Sequence, residues 1–149
     1  AWLMESEERI KSFVANGGNF VVTYTTAGRS GMALPLPVPL TIGRDRVTEE
    51  EAPVALKESV LMQRPNALSA ADFEQWVQER GLYFPSAYEG YTTVLSITES
   101  TGTVYENSTV VASYGKGSVI YTGLSLFREL PKGVPGALRL LQNILHYDR

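Results

Sequence analysis

Residues 14–25, VANGGNFVVTYT, carry the strongest fold signal in the sequence. The apolar residues that precede and open this stretch recur at helical spacing: Leu3, Ile10, Phe13 and Val14. Gly17 or Gly18 can then adopt the left-handed conformation that ends a helix. The contiguous apolar run at 20–22 predicts a short strand buried on both faces. Because a helix, a Gly-Gly stop and a buried strand form the αβ step of a parallel sheet, this stretch predicts an α/β fold.

The remainder of the chain is dominated by strand patterns. Residues 34–40, LPLPVPL, alternate apolar residues with proline and predict an extended segment outside the central sheet. Strand-like runs follow at 91–98, 108–114 and 118–124, and a Gly-Lys-Gly hairpin turn joins the last two. A closing helix enters through Pro135 and presents a broad apolar face.

Shorter patterns complete the prediction. Residues 53–57 suit a second short extended piece, and Ser69 with Asp72 forms an approximate capping box at the start of a short helix. We therefore predict one three-layer α/β domain over residues 1–149, with residues 20–23 in its central sheet. The residues expected to be mostly buried are Val21, Val22, Val94, Leu95, Val110, Val111, Val119, Ile120, Leu141 and Ile144.

Composition excludes several classes of function. Hydrophobic residues make up 44% and charged residues 19% of the chain, which is typical of a globular domain. The net charge of −3 leaves no basic footprint for nucleic acid, and no run approaches the ~20 apolar residues of a membrane helix. With no Cys and one histidine, His146, no metal site or cofactor is expected.

Three local motifs have both a functional and a structural interpretation. The acidic run at 49–51, close to Asp45, could hold a hard cation, but a solvated acidic turn is the commoner origin of such a run. Lys116 stands in a glycine-rich segment that resembles a phosphate loop, although a tight turn between strands explains it as well. Asn107 is formally a glycosylation acceptor.

The stretch at 72–85, DFEQWVQERGLYFP, offers the most specific candidate site. Its aromatic residues could form a platform for a sugar ring, and a neighbouring carboxylate and guanidinium could orient the ligand. The candidate ligand-binding residues are Trp76, Glu79, Arg80 and Tyr83.

The alternative is that this stretch is architectural. In a regular strand, Trp76 and Arg80 would lie on one face, and Glu79 and Tyr83 on the other. One face would then be core, and a nearby carboxylate would hold Arg80. Gly81 would remove a side chain and let another backbone approach closely.

Two segments together resemble a known family. Residues 71–88, ADFEQWVQERGLYFPSAY, and 111–145, from VASYGKGSVIYTGL to LLQNIL, are similar to the C-terminal region of large bacterial PIG-L (LmbE-like) deacetylases. That region is a glutamine-amidotransferase-like domain that follows the catalytic one. Residues 14–26 and 39–54 fit its pattern as well. The Tyr-Gly-Lys-Gly turn also resembles turns in ThuA-like and β-galactosidase trimerisation domains.

The resemblance implies a flavodoxin-like sandwich within a longer chain, whose first strands precede Ala1. The start of the sequence, directly on a helix and without Met, agrees with a C-terminal fragment. The resemblance further implies a non-catalytic accessory domain that scaffolds the enzyme or binds a glycan. The family's Ala-His-Pro-Asp-Asp zinc motif and the Cys and His-x-Glu groups of amidotransferases are missing here, so neither activity can be assigned to a residue of this chain.

The expected partners are the catalytic domain of the parent chain, a glycan and a second copy of the protein, since an uncovered sheet edge recruits partners. The family favours a periplasmic or other extracytoplasmic location. The alternative function is a carbohydrate hydrolase in its own right, working through carboxylates such as Glu79 and Glu89.

Overall fold

The computed structural model describes residues 2–148. The helices are α1 (Trp2–Glu5), α2 (Glu7–Ala15), α3 (Val60–Gln63), α4 (Leu126–Glu129) and α5 (Pro135–Leu145). The strands are β1 (Asn19–Thr23), β2 (Met32–Leu34), β3 (Leu40–Val47), β4 (Val54–Leu56), β5 (Gly81–Ala87), β6 (Thr92–Thr93), β7 (Leu95–Thr98), β8 (Val104–Tyr105), β9 (Thr109–Tyr114) and β10 (Gly117–Thr122). A 3-10 turn spans Ala70–Phe73.

The strands form three separate sheets. The first has four strands in the order β1-β10-β9-β6, and the others have three each, β2-β3-β5 and β4-β7-β8. Within residues 2–148, the pairing of β1 with β10 is parallel and every other pairing of the named strands is antiparallel. The predicted three-layer, flavodoxin-like α/β sandwich is therefore wrong.

The error has a physical origin in the opening stretch. The αβ step itself is present, because α2 ends at Ala15, Gly17 has φ +111° and β1 begins at Asn19. However, the step occurs once. The chain between β1 and β10 makes short antiparallel strands instead of repeated crossover helices, and antiparallel strands need only short connections.

Several local predictions are confirmed. Gly115, with φ +57°, and Lys116 make the turn between β9 and β10. Pro135 opens α5, and Ser69 and Asp72 form a complete capping box on the 3-10 turn. No helix within residues 2–148 is long and apolar enough to cross a membrane.

The two sides of the first sheet pack against two different hydrophobic cores. Because side chains alternate along a strand, Val119 and Tyr121 of β10 join one core with Val14 of α2, while Ile120 joins the other with Leu140 of α5. The first core also takes in β2 and β3, and the second takes in β4 and β7. One face of the sheet is thus covered by α2 and the sheet β2-β3-β5, and the other by α5 and residues of both smaller sheets.

Most of the predicted core residues are buried, namely Val94, Leu95, Val110, Val111, Val119, Ile120 and Ile144. The prediction is wrong for Val21, Val22 and Leu141, which are only half-buried. For the two valines the reason is position, since β1 lies at the edge of its sheet and not at its centre.

Candidate functional site

The candidate site lies where the two parallel strands end. Tyr24 directly follows β1, and the segment 123–128 directly follows β10. In open α/β sheets, ligands bind beyond the carboxyl ends of the parallel strands, and the one parallel pair among residues 2–148 offers the same local arrangement. The loop at 78–83 reaches the same place, because the amide of Leu82 donates to the carbonyl of Gly123 at 3.0 Å.

The stretch 74–80 is not a strand. It is an irregular loop that continues from the 3-10 turn to β5, and Gln75 and Gln78 have φ of +60° and +68°. Consequently the alternation expected for a regular strand does not apply over these residues. The close backbone approach expected at Gly81 is confirmed, since a Cβ there would lie 2.3 Å from the carbonyl oxygen of Gly123.

The loop divides the four candidate residues into two pairs. Glu79 and Tyr83 reach the end of β1 and β10, whereas Trp76 and Arg80 turn into the interior. The first pair belongs to a group that we call the aromatic–acid cluster. Its members are Tyr24, Gln78, Glu79, Tyr83, Ser125, Phe127 and Arg128.

Unusual backbone conformations concentrate in this cluster. Within residues 2–148, four non-glycine residues have positive φ, and three of them belong to the cluster: Tyr24 at +43°, Gln78 at +68° and Tyr83 at +59°. A bulky side chain in this region is disfavoured by contact between its Cβ and the backbone, so such residues persist only where the surroundings impose them, often at functional sites.

Tyr83 owes its conformation to a β-bulge. Phe84 faces Asp45 and Leu82 faces Arg46 in the pairing of β5 with β3, so Tyr83 is the extra residue between them. Bulges redirect a side chain, and here the ring of Tyr83 packs edge-on against Tyr24, with the ring centroids 5.6 Å apart.

Tyr121 supports the cluster from the interior of the protein, through hydrogen bonds to Tyr83 and Thr25. This residue is fully buried on β10, and its hydroxyl donates to the carbonyl of Tyr83 at 2.6 Å. The same oxygen accepts a longer hydrogen bond, 3.4 Å, from the amide of Thr25 beside Tyr24. Burial raises the pKa of Tyr121, so the hydroxyl stays protonated and able to donate.

Glu79 is the polar centre of the cluster. One of its carboxylate oxygens, Oε1, lies 2.9 Å from Nε of Arg128 and 3.1 Å from the hydroxyl of Ser125. The hydroxyl of Tyr24 lies 3.5 Å from the same oxygen. Desolvation and the nearby carboxylate of Glu79 raise the pKa of Tyr24. Glu79 is thus held in one orientation by three donors from two segments of the chain.

Aromatic rings form the exposed side of the cluster. The ring of Phe127 is 47% exposed and lies 4.4 Å, centroid to centroid, from that of Tyr24. The guanidinium of Arg128 lies 4.9 Å from the centre of the Phe127 ring and also donates to the side-chain oxygen of Gln78. The surface therefore combines apolar ring area with fixed donors and acceptors, which is the composition of small-ligand sites.

The second pair, Trp76 and Arg80, is internal. The guanidinium of Arg80 lies 5.6 Å from the ring centre of Trp76 and 5.9 Å from that of Phe73, and these two rings stack on each other. The prediction that a carboxylate holds Arg80 is wrong. Instead, Arg80 donates to the carbonyl of Ala52 through Nε at 3.0 Å and Nη2 at 2.8 Å, and to the carbonyl of Phe73 through Nη1.

Glu129 places a buried carboxyl group close to both pairs. It is fully buried, and its Oε2 accepts a hydrogen bond of 2.8 Å from the amide of Val77, while its Oε1 has no hydrogen-bond partner among residues 2–148. Burial raises the pKa of Glu129, and the guanidinium groups of Arg80 and Arg128 partly offset that effect.

The other residues singled out from sequence have structural roles. Glu49 accepts hydrogen bonds from the amide and hydroxyl of Ser100, and no cluster of three or more His, Cys, Asp or Glu suited to a metal occurs within residues 2–148. Asn107 is buried and donates to Asp45 and to the carbonyl of Pro85.

His146 follows α5 and is exposed, with Nδ1 lying 2.9 Å from the carbonyl oxygen of Gln142. Glu89, paired with Glu79 in the hydrolase hypothesis, lines a cleft of about 320 Å³ at residues 86–91 that Glu79 does not line. The structure therefore does not bring those two carboxylates together in one cleft.

Sequence reasoning missed five members of the cluster: Tyr24, Gln78, Ser125, Phe127 and Arg128. A usable signal existed for four of them, because Tyr24 follows the apolar run of β1, and Ser125, Phe127 and Arg128 follow that of β10. Applying the rule for the ends of parallel strands to both runs would have placed these residues together.

Comparison with known proteins gives a likeness of fold. No protein-family profile matches the chain, and no curated protein shows significant sequence similarity to it. Among solved structures, a cold-adapted β-galactosidase from Rahnella sp. R3 is similar over 96% of this chain, with a TM-score of 0.55 and 20% identity. Cytoplasmic protein STM1381 from Salmonella typhimurium LT2 is similar over 95%, with a TM-score of 0.54 and 15% identity.

The chain spans only part of both proteins. The matched region is 21% of the β-galactosidase chain and 59% of the Salmonella chain. At these identities the likeness concerns the fold alone. It shows that this arrangement of strands occurs inside longer chains.

Proposed function

We propose that this chain is a non-catalytic accessory module of a larger sugar-processing enzyme and that it binds a glycan through the aromatic–acid cluster. The observation that carries the proposal is the convergence of three residues with positive φ, three aromatic rings and one oriented carboxylate at the ends of β1 and β10. Aromatic rings bind the apolar face of a sugar, and fixed polar groups bind its hydroxyls.

The polar groups of the cluster support binding over catalysis. Ser125 is fully buried, and its hydroxyl is engaged by Glu79. Glu79 has a side chain only 11% exposed and is paired with Arg128, so it is suited to orient neighbours and not to exchange protons with a substrate. We therefore expect the purified chain to release neither acetate from N-acetylglucosamine oligomers nor ammonia from glutamine.

Two further considerations support a module within a larger enzyme. Almost the full length of this chain is similar in fold to about one-fifth of a β-galactosidase chain. The resemblance of residues 71–88 and 111–145 to PIG-L deacetylases points to an N-acetyl-sugar deacetylase as the parent enzyme. Either parent would present a glycan to the module.

The test is a titration of N-acetylglucosamine oligomers followed by NMR. We expect saturable shifts at Tyr24, Tyr83 and Phe127 with a dissociation constant on the order of 1 mM, the range of weak single-site binding. Phe127→Ala should abolish them. Phe13→Ala is the matched control, since Phe13 is 55% exposed and lies on α2, outside the cluster.

Three outcomes would contradict glycan binding. These are a complete absence of shifts at about 10 mM oligomer, shifts confined to residues outside the cluster, and equal binding by the two alanine variants. The scaffolding role would then remain for the module. Acetate release by the purified chain would overturn its non-catalytic assignment.

A further inference from the structure

A second cleft, of about 470 Å³, lies beside Arg80. Its walls come from residues 51–54 at the start of β4 and from residues 70–75 of the 3-10 turn and the loop after it. It shares no lining residue with the aromatic–acid cluster, so a ligand here would be independent of the glycan proposed above.

Arg80 and Phe73 are the buried residues of this cleft, with exposures of 4% and 2%. A guanidinium has five N–H groups, and Arg80 uses three of them in its bonds to the carbonyls of Ala52 and Phe73. Two N–H groups therefore remain without a partner among residues 2–148. Burial lowers the pKa of Arg80 to about 10, so the group is still positively charged at neutral pH.

The rim of the cleft has the opposite charge. Glu51 and Glu74 are both exposed lining residues, and neither makes an ion pair with a residue of the described chain. Glu51 interacts electrostatically with Arg80. Pro53 and Val54 add an apolar wall. The cleft thus places a buried cation with spare donors behind two unpaired surface carboxylates.

We propose that this cleft binds a small zwitterion, an α-amino acid with an apolar side chain. Its carboxylate would accept hydrogen bonds from the two remaining N–H groups of Arg80, its ammonium would pair with Glu51 and Glu74, and its side chain would contact Pro53 and Val54. A simple carboxylate would be repelled at the rim, and a simple amine would leave the buried donors unsatisfied. A ligand that carries both charges satisfies both parts of the cleft.

The first test compares L-leucine with two analogues that each lack one of its charged groups, by calorimetry and NMR at neutral pH. The analogues are 4-methylpentanoate, which lacks the ammonium group, and 3-methylbutylamine, which lacks the carboxylate. We expect L-leucine to bind with a dissociation constant on the order of 1 mM and each analogue to bind at least about tenfold more weakly. The shifts should map to Arg80, Gln75 and Ala52.

The proposal is overturned if L-leucine fails to bind at about 20 mM, or if either analogue binds as tightly as L-leucine. If 3-methylbutylamine binds as tightly as L-leucine, the cleft is an acidic surface that attracts cations in general.

The second test changes the rim and leaves the buried arginine in place. The double variant Glu51→Gln, Glu74→Gln should weaken L-leucine binding about tenfold or more, since it removes both partners of the ammonium group. Glu89→Gln is the matched control, because Glu89 is also exposed, makes no ion pair among residues 2–148 and does not line this cleft. Unchanged affinity in the double variant, or an equal loss in the control, would contradict the proposal.

Discussion

Strand β10 and the loop at 74–80 are both buried, but their peptide groups have different hydrogen-bond partners. All six residues of β10 are buried, and its peptide groups pair with β1 on one side and β9 on the other. The loop buries Trp76, Glu79 and Arg80 almost as deeply, yet within residues 2–148 its backbone contact with a strand is a single hydrogen bond of 3.0 Å from the amide of Arg80 to the carbonyl of Val47 on β3. Peptide groups around it bond to charged side chains instead: Arg80 donates to two carbonyls, and Glu129 accepts from the amide of Val77.

The comparison shows that buried arginine and glutamate side chains can hydrogen-bond peptide groups that have no neighbouring strand. A buried peptide group must be hydrogen-bonded, and a side chain can satisfy it where the chain is too irregular for a ladder. Asp72 and Arg80 of this stretch make contacts that hold the fold, and carbonyl groups, not the carboxylate that the architectural interpretation expected, bind the arginine. Glu79 belongs both to this loop and to the aromatic–acid cluster, because its carboxylate binds Ser125 and Arg128.

The largest expected effect is that of Arg80→Met. The variant keeps the apolar stem but leaves the carbonyls of Ala52 and Phe73 unpaired and removes a positive charge near Glu129. We expect a loss of about 4 kcal/mol in the free energy of unfolding, measured by urea denaturation.

Arg44→Met is the matched control for this prediction, because Arg44 is exposed on β3 and should tolerate the change within about 0.5 kcal/mol. A loss at Arg80 as small as that at Arg44 would break the comparison, since the loop would then not depend on its charge.

A smaller effect is expected for Tyr121→Phe, which removes the contact of β10 with the bulge in β5 and with the chain after β1. The hydroxyl links β10 to the carbonyl of Tyr83 and the amide of Thr25, so its removal leaves both groups unpaired inside the protein. We expect a loss of about 2 kcal/mol in the free energy of unfolding, with broadened NMR signals from the Tyr83 and Tyr24 rings.

Tyr114→Phe on β9 provides the control, since the hydroxyl of Tyr114 has no hydrogen-bond partner among residues 2–148 and its loss should cost less than about 0.5 kcal/mol. Sharp, unshifted ring signals in Tyr121→Phe would show that the bulge holds Tyr83 without help from β10.

The smallest effect concerns Glu129 and depends on pH. Burial raises its pKa in the folded state above the ordinary value of 4.5. The folded protein therefore holds this proton more tightly than the unfolded chain does. The resulting stabilisation is complete below the unfolded pKa and is lost as the pH rises through the folded pKa.

We expect the stability of the natural protein relative to Glu129→Gln to fall as the pH rises from 4.5, measured by urea denaturation across the pH range. The charged groups that act on Glu129 are Arg80, Arg128 and Glu79, and all three are retained in the variant. Glu8→Gln, on the exposed face of α2, reports the effect of losing one surface charge. A stability difference that rises with pH would mean that the arginines outweigh burial at this site.

Local features of the fold were predictable because local physics decides them. The stop at Gly17, the turn at Lys116 and the start of α5 at Pro135 each follow from the conformations that those residues and their neighbours allow. The number of sheets was not predictable in this way. One αβ step is compatible with many partners for its strand, and the pairing of β1 with β10 depends on contacts across most of the chain.

The candidate site was predictable only in part for a related reason. Glu79 and Tyr83 belong to a conspicuous run of residues, whereas Phe127 and Arg128 lie in a segment whose composition gives no signal by itself. A tyrosine with φ +59° contradicts its own local preference, so no local pattern predicts the bulge at Tyr83. The contacts that accompany the bulge are distant in sequence, since it pairs with β3 and its carbonyl accepts a hydrogen bond from Tyr121.

The parallel pairing of β1 with β10 also governs how the chain acquires its structure. The two strands lie roughly a hundred residues apart along the chain, and such distant contacts make folding slow because a long loop must close first. During synthesis β1 leaves the ribosome well before its partner exists. The apolar segment Phe20–Val22 therefore stays unpaired until β10 has been synthesised. We expect chaperones to bind this segment during synthesis, and aggregation to begin there when expression is fast.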